Sequence, residues 1–185
     1  MNASPSCQLN NAKVPVIGFV APSGTGKTTL LTQIIGLLSA RGLRIGVVKQ
    51  ARNDFDVDIP GKDSYELRKA GLQRTLLASG RKSALISEHP NGPEPVLNEL
   101  LREFDQSALD LVLVEGFSDQ HYPKIELYRQ GLGRPRFLSD PCIIAVASDG
   151  LAELPTSIPL LDINNPAAVA EFVLARLHMF AEDPA

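Results

Sequence analysis

Cysteine is scarce in this chain: Cys7 and Cys142 are the only two in 185 residues. Cys7 lies in a polar N-terminal stretch, and Cys142 opens an apolar run that reads as a buried strand. Two cysteines do not make a disulfide framework, so both are expected as free thiols, a usage that fits a reducing compartment. Positive charge is not in excess either. The 18 Lys and Arg stand against 21 Asp and Glu, for a net charge of -3. This excludes the global basic field that binds nucleic acid or anionic lipid without specificity. No apolar run approaches the roughly 18 residues needed to cross a bilayer. Met1 to Lys13 contain no apolar segment of a secretory signal, so a cytoplasmic protein is expected. The histidines are few and scattered, at His89, His121 and His178, without the spacing of a metal site or a catalytic triad.

What is present suits a globular enzyme or binding domain. Hydrophobic residues make up 44% and charged residues 21%, and 185 residues are enough for one domain around one core. The expected organisation is a disordered tail over residues 1–13 and a single domain over 14–185. Val14–Val20, Leu43–Lys49, Leu109–Val114 and Cys142–Ala147 are apolar, β-branched runs that read as buried strands. Lys27–Ala40 has the broad apolar face of a helix, and Gly42 can end it. Asp63 and Glu66 form a capping-box pattern for a helix reaching Ala70. Thr75–Ser79 and Ser83–Ser87 read as short strands, and Val96–Phe104 as an amphipathic helix. Lys124–Arg129 alternates as a partly exposed strand would, and Ile158–Ile163 reads as a last short one. Asn165 and Pro166 suit the cap and first turn of a closing helix over Ala167–Phe180. Strands alternating with helices imply an α/β fold, a mostly parallel sheet with helices on both faces.

The strongest single signal is Ala21-Pro-Ser-Gly-Thr-Gly-Lys-Thr28, between the first strand and the first helix. It is the P-loop pattern with Ala in place of the first Gly, and it points to a P-loop NTPase fold. Ser23, Gly24, Thr25 and Gly26 can turn successive N–H groups toward one point, and the helix that follows adds its positive end. Lys27 would reach the terminal phosphates, Thr28 would hold Mg²⁺ through its hydroxyl, and Thr29 continues the phosphate site.

Ligands in such a sheet bind outside the carboxyl ends of the strands. Glu115 sits at such an end, after Leu109–Val114, and is the favoured carboxylate for the metal or for positioning water. Asp110 sits at the opposite end of that strand. Asp54, Asp56 and Asp58 alternate in a long loop, so they share a face if it is extended. They read as a second metal contact or as a general base, or else as a solvated loop. Lys49, Lys62 and Arg68 suggest a pocket for a second anion, or solvated charge. Asp149 follows the strand Cys142–Ala147. Its carboxylate could accept the two adjacent donors of guanine, N1–H and N2–H, which adenine lacks. The Asn-Lys-x-Asp signature of small GTPases is missing apart from this Asp, so Asp149-Gly150 could equally be a plain turn.

Four segments together resemble the molybdopterin-guanine dinucleotide biosynthesis protein B (MobB) family: the P-loop with Thr29-Leu-Leu31, Asp54-Phe-Asp-Val-Asp-Ile-Pro-Gly-Lys-Asp-Ser-Tyr65, Leu113-Val-Glu-Gly-Phe117 and Ile144-Ala-Val-Ala-Ser-Asp149. The resemblance runs from about Val14 to Phe180. It implies a GTP-binding accessory protein of molybdenum cofactor biosynthesis, homodimeric, with at most slow GTPase activity. Its implied partner is the enzyme that attaches GMP to molybdopterin, and direct contact with molybdopterin is open. One departure is the segment after Lys49, which reads Gln50-Ala-Arg-Asn-Asp54 where the family is often rich in histidine. The alternative is a small-molecule kinase in which Asp58 deprotonates an acceptor hydroxyl held by Lys49 or Arg68.

Overall fold

The computed structural model describes residues 7–51, 55–151, 153–154 and 157–182. In chain order the elements are β1 (Val16–Val20), α1 (Lys27–Ser39), β2 (Ile45–Lys49), α2 (Asp63–Lys69), β3 (Arg74–Ala78), β4 (Ser83–Ser87), α3 (Leu97–Glu103), β5 (Leu111–Glu115), β6 (Lys124–Tyr128), β7 (Ile143–Ser148), β8 (Leu160–Asp162) and α4 (Pro166–Glu182). They fall into two compact units. Met1–Gln50 with Val96–Ala185 form the first, and Ala51–Pro95 the second.

The first unit is built on a six-stranded sheet in the order β2-β5-β1-β6-β7-β8. Every neighbouring pair is parallel. Side chains alternate between the faces. Ile17, Phe19, Leu111, Leu113, Ile125 and Leu127 pack with Leu30, Ile34 and Leu38 of α1 and Val169 and Val173 of α4. On the other face Val16, Val112 and Val114 pack with Leu97 and Leu101 of α3. Helices therefore cover both faces, which is why the strands read as continuous apolar runs.

Strand β6 corrects the expectation of a partly exposed strand. It lies between β1 and β7, and Lys124 to Leu127 are all buried. The polar half of its alternation is buried because it is paired. Lys124 Nζ donates to the carbonyls of Ser118 and Gln120 and pairs with Asp140 at 2.7 Å. Glu126 accepts the backbone N–H groups of Arg136 and Phe137, at 2.8 and 2.7 Å. Burial nevertheless pushes the Glu126 carboxyl up, so those two N–H bonds offset only part of its desolvation.

The N-terminal segment is also a correction. From Cys7 to Lys13 it is ordered rather than disordered. Leu9 and Ala12 pack against the α3 face, Asn11 bonds Asn98, and the Lys13 N–H donates to Gln106. Its anchors are amide side chains, so a polar composition concealed them. The cysteines are not free thiols: Cys7 and Cys142 are joined by a disulfide, which ties this segment to the start of β7.

In the second unit β3 and β4 form an antiparallel hairpin, and α2 packs on β3. The capping box expected at Asp63 does not form, because Lys62 occupies the cap position without a side-chain bond. Gly61, at φ 83°, and the extended Lys62 bring the chain into the helix one residue early. Asp63 and Glu66 then both lie in the first turn, where carboxylates suit the helix dipole. At the closing helix the expected cap does form: the Ala168 N–H donates to Asn165 Oδ1 at 3.1 Å.

Candidate functional site

The carboxyl ends of β1, β5, β6, β7 and β8 line one edge of the parallel sheet, and the loop from Ala21 to Gly26 crosses it. Gly24 and Gly26 take positive φ, 82° and 93°, conformations that side chains rarely adopt. Thr25 is buried, and its hydroxyl donates to the Pro22 carbonyl at 2.8 Å, which stiffens the loop from within. Helix α1 starts on Gly26 without a side-chain cap and without an acid in its first turn. Its leading N–H groups are thus left for an outside acceptor, with the positive dipole end behind them. Ser23, Gly24, Gly26, Thr28 and Thr29 are exposed along this rim.

Glu115 closes β5 directly beside β1, in register with Phe19 and Lys49. Its carboxylate lies 3.6 Å from Lys27 Nζ and 3.4 Å from Lys49 Nζ. The turn after it is tightly specified. Gly116 has φ 101°, and Phe117 is the one described non-glycine residue at positive φ, 51°. Such a conformation costs about 1–3 kcal/mol and persists only where the surroundings enforce it. Here Gln50 accepts the Phe117 N–H at 2.7 Å, and the Tyr122 hydroxyl donates to the Gly116 carbonyl at 2.7 Å. Tyr122 lies so close over Gly18 that a methyl group there would fall 2.4 Å from its ring.

Beside the loop is a cavity of about 400 Å³, walled by Thr25, Gly26, Thr29, Gln33, Arg129 and Asn164, with Leu30, Ile163 and Pro166. A volume of that order is within the usual range for small-molecule sites. Asp149, at the end of β7, is ion-paired with Arg129, whose Nε also donates to the Thr25 carbonyl at 3.0 Å.

Lys27, Glu115 and the loop thus come together, and Asp149 reaches them through Arg129. Several of the remaining candidates are engaged by other groups. Asp56 and Asp58 belong to the second unit. Asp58 Oδ1 accepts the Ile59 N–H, and its other oxygen is buried without a partner among the described residues. Arg68 is not open to a second anion: its buried guanidinium pairs with Asp56 and with Glu88, the latter at 2.6 Å. That pairing holds the Asp56 carboxyl below its ordinary range. Asp54 lies outside the described residues. Asp110 is at the far end of β5, bonded to Arg44.

Arg129, Gln33 and Asn164 were not anticipated. A charged residue closing a strand next to the P-loop strand was the available signal for Arg129, but it needed the strand order.

Residues 16–149 match the family model described as molybdopterin guanine dinucleotide synthesis protein B (MobB). The chain belongs to this family. It is similar to the molybdopterin-guanine dinucleotide biosynthesis adapter protein of Escherichia coli (strain K12), 50% identical over 163 residues, covering 87% of this chain and 92% of that one. It is 39% identical to the adapter protein of the same name from Haemophilus influenzae over 171 residues, 92% and 93% of the two chains. Among solved structures it resembles a molybdopterin-guanine biosynthesis protein B (mobB), with a TM-score of 0.68 and 27% identity, covering 87% of this chain and 99% of that one.

Proposed function

We propose that this MobB-family chain is a cytoplasmic, homodimeric GTP-binding adapter of molybdopterin guanine dinucleotide biosynthesis. In this reading it assists the enzyme that attaches GMP to molybdopterin and hydrolyses GTP slowly at most. The observation that carries it is the pairing of Lys27 with Glu115 at the rim of an uncapped helix, beside a nucleoside-sized cavity. The names of its relatives support the adapter role.

The residues present fit Mg²⁺ and a nucleoside triphosphate. The backbone of Ser23 to Gly26 and the first turn of α1 supply N–H donors, and Lys27 a mobile positive charge. The Thr28 hydroxyl and the Glu115 carboxylate supply hard oxygen ligands of the kind Mg²⁺ prefers. The ion would neutralise phosphate charge when bound. Thr29 lies on the cavity wall, where the nucleoside would continue. Asp149 is the guanine-reading acid in this proposal. Asp58 is kept as a second catalytic candidate. Slow turnover is expected because Gln50, the glutamine next to Glu115, is committed to the Phe117 N–H and is not free to orient water.

The test is calorimetric titration with Mg·GTP, followed by product analysis and an assay of guanylyltransferase stimulation. Orthophosphate released slowly from GTP alone, with stimulation lost in Lys27→Ala, supports the proposal. Phosphate transferred to an added acceptor would favour a kinase instead. Full stimulation without nucleotide would leave GTP with no role.

A further inference from the structure

We infer that Arg129 is the positioning residue that couples base recognition to the phosphate loop. The inference rests on the reading of the cavity as a guanine nucleotide site. It comes from one side chain holding two acceptors that belong to different parts of that site. Arg129 Nε donates to the Thr25 carbonyl at 3.0 Å, and its Nη1 pairs with Asp149 Oδ2.

The two acceptors differ in rigidity. Thr25 is buried and its hydroxyl is tied back to Pro22, so its carbonyl is a fixed reference point within the P-loop. Asp149 lies just beyond β7 and is followed by Gly150, and no other hydrogen bond to its carboxylate is found among the described residues. A guanidinium is a planar fork with donors at fixed angles. With Nε anchored on the loop, the fork sets where the Asp149 carboxylate stands. Arg129 also lines the cavity itself, together with Gln33 and Asn164.

Two consequences follow for a bound base. A carboxylate has about four lone-pair sites, so the bond to Arg129 leaves enough for both donors on the guanine edge. The guanidinium charge also stays beside Asp149 when a base covers it, which lowers the cost of burying that acid. An adenine edge lacks those two adjacent donors, so the lone pairs that Arg129 leaves open would be buried unpaired. A purely structural Arg129 predicts something else: equal loss for every ligand that uses the P-loop.

The experiment titrates wild type, Arg129→Ala and Arg129→Lys with Mg·GTP, Mg·ATP and Mg·tripolyphosphate, the last having no base. Arg129→Ala is expected to weaken GTP about tenfold, the worth of one charge-assisted hydrogen bond. The GTP-to-ATP ratio falls toward one, and tripolyphosphate affinity stays nearly unchanged. Arg129→Lys, whose point charge cannot span both acceptors, keeps tripolyphosphate affinity but not the ratio. If Arg129→Ala does not give a native circular dichroism spectrum, the Arg129→Lys ratio decides alone. A preserved ratio in the variants, or equal losses for all three ligands, overturns the coupling and leaves the guanine site standing. A wild-type ratio near one overturns the guanine reading and the coupling with it.

Discussion

The ammonium of Lys27 and the carboxylate of Glu115 stand 3.6 Å apart, one on the phosphate loop and one at the end of the neighbouring strand. Lys49 approaches the same carboxylate from the other side, at 3.4 Å. One acid therefore holds two cations, and the loop lysine can leave it for a phosphate without stranding an unpaired carboxylate. Lys27→Ala should abolish nucleotide binding, a loss of at least about a hundredfold for a phosphate-bound charge. It should shift stability by less than about 1 kcal/mol, the usual scale of a partly exposed ion pair. Calorimetry and thermal melting read the two effects separately. An unchanged Kd would remove the P-loop assignment.

Glu115→Gln keeps the shape of the side chain and removes its charge. Binding of Mg·GTP should stay within a few-fold, because the loop N–H groups and Lys27 are intact. Phosphate release should drop at least about tenfold if the carboxylate orders the metal or the water. The measurement is single-turnover release of orthophosphate from GTP. Equal rates would make Glu115 only a counter-ion for the two lysines.

At the opposite end of β5, Asp110 shows a contrasting use of an acid. Arg44 binds it through the guanidinium, at 2.6 and 3.1 Å, and through its backbone N–H at 2.8 Å. These bonds lower its pKa to about 2. The folded value is thus below that of the unfolded chain, about 3.9. The pair's contribution is complete above pH ~4 and is lost as the pH falls toward ~2. Asp110→Asn should therefore weaken the protein at neutral pH and flatten its acid transition, with nucleotide affinity unchanged. Urea midpoints from pH 2 to 7 test this, and parallel curves for the two proteins would refute it.

These residues also show what could be read from sequence. Glu115 and Asp110 were separable because a parallel sheet has one ligand edge, and their places in one strand put them at opposite ends. The P-loop was legible because every part of it is local. The Arg129 contact was not, since Thr25 and Asp149 are 104 and 20 residues from it. Only the order β1-β6-β7 brings them side by side. Strand β6 misled for a related reason: Lys124 and Glu126 looked solvated because their partners, Asp140 and the Arg136 and Phe137 amides, arrive from a loop further along the chain. Cys7 was discounted on polar composition, although its segment is held by polar side chains.

The disulfide gives a prediction of its own. Its cysteines are 135 residues apart in sequence, so it closes a long loop of the unfolded chain. In the chain-entropy account such a cross-link stabilises by about 5 kcal/mol. Cys7→Ser should lower the melting temperature and abolish its dependence on reductant. Wild-type melting that is indifferent to reductant would show that the bond contributes nothing to stability in solution.

The proposed homodimer can be tested on the hairpin of the second unit. Leu76 and Leu85 are directly paired across β3 and β4, yet they are 67% and 56% exposed, while Thr75 and Ile86 on the opposite face are half-buried. The exposed leucine pair is the apolar surface on which the proposed dimer is tested. A second copy of the chain would cover it, and two-fold symmetry would count each leucine twice. Burying one leucine is worth about 1.5–3 kcal/mol. Replacing both with Asp, as Leu76→Asp with Leu85→Asp, should then raise the dimer Kd by at least about a hundredfold. Because both side chains are exposed within the single chain, the variant should keep its circular dichroism spectrum. Light scattering at micromolar concentration should give twice the 20.0 kDa chain mass for wild type and the single chain mass for the variant. A monomeric wild type would refute the dimer, and a variant that stays dimeric would move the interface away from this hairpin.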